Sequence, residues 1–175
     1  MTEDIFGRID SDVDPIKKIL KKVPGFKGYI ERENRRDSDK LLREIIAERL
    51  GEQYQRISAL QRDFISYGEI MYVDDLEAAA IKIRTLADRI RRASYGYAGI
   101  FDAVKIKEED LANIYNYDAS LLESIDEIDR AIDNVEASVG TDGLPAAFRH
   151  LTSVSQQTID TYNKREEVVL SDFVE

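Results

Sequence analysis

A chain of 175 residues with 25 Lys and Arg against 35 Asp and Glu has a formal net charge of −10, and a polyanion would repel it at long range, so nucleic acid is not an expected partner. The absence of cysteine excludes disulfides, thiolate nucleophiles and thiolate-bound zinc or iron–sulfur centres. No uninterrupted apolar run is long enough to span a bilayer, and Met1-Thr2-Glu3-Asp4 lacks the positive-then-apolar order of a secretory signal, so the cytoplasm is the expected location.

After an acidic start, Asp14-Pro15 supplies an N-cap and a proline at the first helical position. The short helix that follows is stopped by Pro24-Gly25. Ile16, Ile19, Leu20 and Val23 share one face, and Lys17, Lys18, Lys21 and Lys22 crowd the other. A helix this short is not stable alone in water, so it must pack on its own bundle, in a partner's groove or on an anionic membrane surface.

The stretch over 37–71 organises the rest. Its apolar residues fall at Leu42, Ile46, Leu50, Tyr54, Ile57, Leu60, Phe64, Tyr67 and Met71, in steps of three and four that lay one stripe along a helix. Gly51 inside it points to a close crossing. A second helix carries Leu76, Ala80, Ile83, Leu86, Ile90, Ala93, Tyr97, Ile100 and Val104, and a third Leu111, Ile114, Tyr117, Leu121, Ile125, Ile128, Ile132 and Val135 up to a stop at Gly140. The fourth, with Pro145 in its first turn, carries Leu144, Phe148, Leu151, Val154, Thr158, Tyr162 and Val169.

The fold class is all-α: an elongated up-down-up-down four-helix bundle with a short extra N-terminal helix. Residues 1–28 form an arm with the basic amphipathic helix, and 29–175 form a single bundle domain. Short connections make consecutive helices antiparallel neighbours. Pro24-Gly25-Phe26-Lys27-Gly28-Tyr29 and Asp39-Lys40-Leu41-Leu42-Arg43-Glu44 resemble an uncharacterised bacterial all-helical family. That resemblance covers residues 24–44 only and implies no function.

Four regions are candidate sites. A carboxylate metal centre in a bundle wants Glu-x-x-His pairs, but the sole histidine, His150, follows Ala147 at that spacing, so no metal or cofactor is expected. Asp126, Asp129, Asp133 and Glu136 recur at helical spacing and read as a solvated face partly paired with Arg84, Arg89, Arg91 and Arg92 of the second helix, or as a docking face for a basic partner; a Ca²⁺ site would want ligands from a tight loop, and none is present. Tyr95, Tyr97, Phe101, Tyr115, Tyr117 and Tyr162 gather at one end of an antiparallel bundle, as an aromatic cap or as a pocket for a ligand or partner. Residues 15–49 hold eleven basic and six acidic side chains, and within them Ile16, Lys17, Lys18, Ile19, Leu20, Lys21 and Lys22 form a membrane- or partner-binding arm.

No nucleophile motif, phosphate loop or dinucleotide fingerprint is present, and no catalytic residue is assigned. The sequence therefore points to a helical bundle that works through protein–protein contact, as an adaptor or scaffold and as an oligomer. Reversible association with an anionic membrane through the arm, and a small-ligand or enzymatic pocket at the tyrosine-rich end, are the alternatives.

Overall fold

The computed structural model describes residues 14–96 and 108–171, and all the regular structure among them is helical. Helix α1 spans Pro15–Lys22, α2 Arg32–Ser66, α3 Val73–Gly96, α4 Glu108–Ser138 and α5 Leu144–Ser171. The side chain of Asp14 caps α1 by accepting from Ile16 N at 3.0 Å, in the geometry that the Asp-Pro pair dictates.

Helix α2, of 35 residues, is about 50 Å long at 1.5 Å per residue. Leu42, Ile46, Leu50, Ile57, Leu60 and Phe64 are buried along it as the spacing predicts. The stripe does not run on to Met71. The helix ends at Ser66, Gly68 adopts φ +80°, and Glu69 N donates back to Phe64 O at 2.9 Å. A glycine in the left-handed region with this six-to-one bond is a Schellman stop, so Tyr67 and Met71 leave the core. A short 3₁₀ turn, Ile70–Tyr72, feeds directly into α3.

The four long helices close into a ring in which α2 packs on α3, α3 on α5, α5 on α4 and α4 on α2. Directions follow from cross-helix pairs. Arg56 of α2 meets Asp129 and Asp133 of α4, while Lys82 and Arg89 of α3 meet Gln156 and Glu166 of α5. With Asp39 and Asp118 gathered on Arg165, these fix α2 parallel to α4 and α3 parallel to α5, so direction alternates along the chain as expected. One expectation needs correcting: α3 and α4, though consecutive, stand diagonally across the ring. Eleven residues separate them in sequence, several times the tight turn that enforces adjacency in a hairpin.

Gly51 has the role its position suggests. A Cβ there would lie 3.2 Å from Arg91 Nη2, and that group donates to Ala47 O at 3.2 Å, so the missing side chain lets an arginine of α3 lie across the backbone of α2.

Helix α1 lies on its own bundle, against α4. Ile19 and Val23 are fully buried, Lys18 pairs with Glu123 at 2.5 Å, Lys22 with Asp126, and Arg49 Nη2 donates to Lys22 O at 2.9 Å. With only two side chains fully buried, the docking depends on each of them. Ile19→Ala should therefore accelerate amide exchange over residues 16–22 about thirtyfold, the low end of a buried isoleucine truncation, while α4 keeps its protection. Unchanged exchange in α1 would show that its docking does not depend on this face.

Candidate functional site

The two ends of the rod are built differently. At the end where α2 and α4 begin and α5 finishes, the seams carry ions instead of aliphatic side chains. Arg165 of α5 is buried. Its Nη2 donates to Asp39 Oδ1 of α2 at 2.7 Å and its Nε to Asp118 Oδ1 of α4. Asp39 also accepts from Arg43 one turn on, at 2.7 Å. Asp118, wholly buried, takes a further bond from the Tyr29 hydroxyl at 2.6 Å. Two guanidinium groups and two carboxyl groups thus form a closed cluster that ties together three helices and the loop before α2.

That loop is held in place atom by atom. Tyr29 N donates to the Tyr115 hydroxyl at 2.6 Å, Arg35 Nε donates to Tyr29 O at 2.6 Å, and Lys27 N donates to Ser38 Oγ at 3.2 Å. Gly28 has φ +88°, and a Cβ on it would come within 2.7 Å of the Tyr115 hydroxyl. Only glycine fits there. Phe26, Tyr29 and Tyr115 pack ring to ring, with centroids 5.3 Å apart for the first two and 5.0 Å for the last two.

Burial sets the electrostatics. Desolvation lifts the Asp118 carboxyl above its ordinary value, opposed by the charge of Arg165 and by its bonds from Arg165 and Tyr29. Desolvation would lower the pKa of Arg165, but the charges of Asp118 and Asp39 outweigh it and hold the guanidinium firmly protonated. Burial also raises the phenols of Tyr29, Tyr115 and Tyr162, with the charge of Asp118 adding for the first two and that of Glu166 for the third.

The tyrosine-rich end predicted from sequence is only partly one place. Tyr115 is buried against Phe26 and Tyr29, whereas Tyr162 is buried beneath Arg89, whose Cζ stands 4.9 Å from its ring centroid. Tyr117 is half-buried. Tyr97 and Phe101 lie outside the described residues, as does the side chain of Tyr95. The structure puts Asp118, not Tyr117, on the inner stripe of α4.

The arm residues divide. Ile19 faces the core, Ile16, Lys18 and Lys22 are half-buried, and Lys17, Leu20 and Lys21 face solvent. The acidic stripe pairs, but not with the arginines of α3. Arg56 of α2 spans Asp129, Asp133 and Glu136, and Lys22 takes Asp126, because the ring order sets α4 beside α2 and α1. Among the described residues no group of three or more His, Asp or Glu is placed to hold a metal.

The other end of the rod carries a feature of opposite kind. Ile65, Tyr67, Ile70 and Met71 are 55%, 72%, 69% and 74% exposed, four large apolar side chains within seven residues at the α2–α3 turn. Beside them Tyr72 stacks on Phe148 with centroids 5.3 Å apart, flooring an open cleft of about 480 Å³ rimmed by Asp75, Arg149 and Thr152. Single exposed apolar side chains are ordinary on a soluble surface, whereas four within seven residues are a group that calls for a reason.

The charged core makes two testable statements. Asp118→Ala leaves Arg165 buried with one carboxylate fewer and should cost about 3–5 kcal/mol in urea unfolding, whereas Asp118→Leu combined with Arg165→Met should recover at least half of that loss. Equal losses in single and double variants would deny the coupling. The raised phenols give a pH window. A phenol with a folded pKa above its unfolded value, about 10, contributes stability that is complete below pH 10 and lost as pH rises through the folded value. Tyr29, Tyr115 and Tyr162 should therefore ionise only in the cooperative step in which helicity is lost, read by phenolate absorbance and circular dichroism together.

Compared with known proteins, the chain matches no family model, no curated protein and no solved structure, residues 24–44 included.

Proposed function

We propose that this protein acts through protein–protein contact, as an adaptor or scaffold, and that the contact is made at the α2–α3 tip. The observation that carries the reading is the exposure of Ile65, Tyr67, Ile70 and Met71 together. Burying an aliphatic or methionine side chain stabilises by roughly 1.5–3 kcal/mol, and methionine and tyrosine are enriched where proteins meet because one adapts its shape and the other offers a rigid amphipathic face. Nothing in the fold requires these side chains to be apolar. The turn is closed by Gly68 and by backbone bonds from Gly68 N to Ile65 O and from Glu69 N to Phe64 O, which any exposed side chains at the neighbouring positions would permit.

The arm is the weaker surface for contact. Its apolar side is spent on the bundle, and what remains outward is a single leucine, Leu20, between Lys17 and Lys21.

The reading is tested by placing a photoreactive residue at Met71 and, in a second protein, at Arg130, an exposed position on the shaft. Illumination in a lysate of the native cells should give a discrete adduct from position 71 and none from 130. Tyr67→Ser with Ile70→Ser should abolish it while changing stability by no more than about 0.5 kcal/mol per substitution, as exposed positions do. No adduct at 71, or the same adducts from both positions, would overturn the proposal.

A further inference from the structure

The apolar tip is set among side chains that are mostly acidic. Residues 61–78 hold Asp63, Glu69, Asp74, Asp75 and Glu77 against Arg62 alone, and all six are exposed. The α4–α5 turn and the first turns of α5, brought to the same end by the Tyr72–Phe148 stack, add Asp142 and one further cation, Arg149, so that six acids stand against two arginines. These acids differ from the stripe Glu123, Asp126, Asp129, Asp133 and Glu136 on α4, whose charges the chain itself answers: Arg56 covers three of them, and Lys18 and Lys22 one each. Among the described residues no ion pair engages Asp63, Glu69, Asp74 or Asp75. Of the chain's 25 Lys and Arg, 11 are concentrated in residues 15–49. An apolar centre inside an unanswered acidic rim is complementary to one kind of surface, an apolar one bordered by cations.

We infer that the tip receives a basic, apolar-faced segment of a partner protein, an inference that rests on the tip's being the contact surface. Ile65, Tyr67, Ile70 and Met71 take the partner's apolar side, and the carboxylates around them take its Lys or Arg. The same rim disfavours two other occupants. A second copy meeting tip to tip brings two acidic rings together, and an anionic bilayer presents the wrong sign.

The test uses the full chain and a synthetic peptide of residues 14–24, a ready basic amphipathic probe with four lysines and apolar Ile16, Ile19 and Leu20. Titration followed by fluorescence anisotropy should show saturable binding that weakens several-fold between about 50 mM and about 500 mM salt, as exposed charge pairs do. Glu69→Lys with Asp74→Lys should weaken it at least about tenfold, as should Ile70→Ser with Met71→Ser, reflecting loss of complementary charge and of the apolar centre. Glu44→Gln, Glu48→Gln and Glu52→Gln together remove an exposed acidic row from the α2 shaft and should leave binding within about twofold, since distant sites act independently. A peptide with every lysine changed to glutamate should not bind.

Equal loss in the shaft variant, or equal binding by a peptide with its apolar residues changed to serine, would reduce the effect to bulk charge and overturn the inference. So would tip-dependent self-association in sedimentation, which names a second copy, or tip-dependent flotation with anionic vesicles. If position 71 still yields its adduct but the basic peptide does not bind, the tip is a contact surface and its partner is not cationic. If the adduct is absent, both readings fall.

Discussion

The bundle depends at one end on a salt bridge that water never sees. Arg165 reaches Asp118 on one side and Asp39 on the other, with Arg43 and the Tyr29 hydroxyl completing the cluster. Removing such ions from water costs several kcal/mol each, and their mutual attraction offsets this only when nearly every donor and acceptor is matched. Here the match is close, though among the described residues Arg165 Nη1 has no hydrogen-bond partner. The cluster is therefore better understood as a device of specificity than of raw stability. Aliphatic seams slide past one another by a turn at modest cost. A guanidinium that must meet carboxylates from two other helices admits one register, and it sets α2, α4 and α5 together.

That constraint propagates outward. With α2 and α4 fixed side by side, the acidic face of α4 looks onto Arg56 and onto the groove where α1 lies, and Lys18 and Lys22 fall opposite Glu123 and Asp126. The lysines of α1 read in isolation as the mark of a membrane arm. In place, half of them answer the acids of α4, and the rest face outward around one leucine. Partly exposed pairs of this sort contribute little individually, about 0–1 kcal/mol, so they direct where α1 docks more than they hold it. Ile19 and Val23 do the holding.

The period of the apolar residues made the helices legible, down to the stop at Gly140 and the proline opening of α5. The same template hid the charged core. A stripe traced by apolar residues steps from Ile114 to Tyr117 to Leu121, because it has no place for an aspartate. Yet Asp118 sits four residues after Ile114 and three before Leu121, and Arg165 sits three after Tyr162 and four before Val169. Ionisable residues at seam positions on three helices were the available signal. It could be read only by asking which charges interrupt a seam, and their meeting at one point is a fact of three dimensions. The tip was hidden by the converse error: Tyr67 and Met71 keep the period of α2, and Gly68 between them ends the helix before the period matters.

The positions of the two features relative to each other follow from helix mechanics. A charged cluster that fixes register at one end leaves the shaft to the aliphatic seams, and four long helices packed along their length transmit that register with little freedom to shear. The α2–α3 turn thus stands about 50 Å from the start of α2, the span of 35 residues at 1.5 Å each, on a rigid support. Rigidity matters for a small surface. Four apolar side chains bury too little area to offset much loss of conformational freedom on binding, and a turn already closed by Gly68 and its backbone bonds has little freedom left to lose. A flexible loop with the same four side chains would bind any given surface more weakly. On the proposed reading, setting them on the end of a stiff rod is what would make so small an apolar group a workable contact.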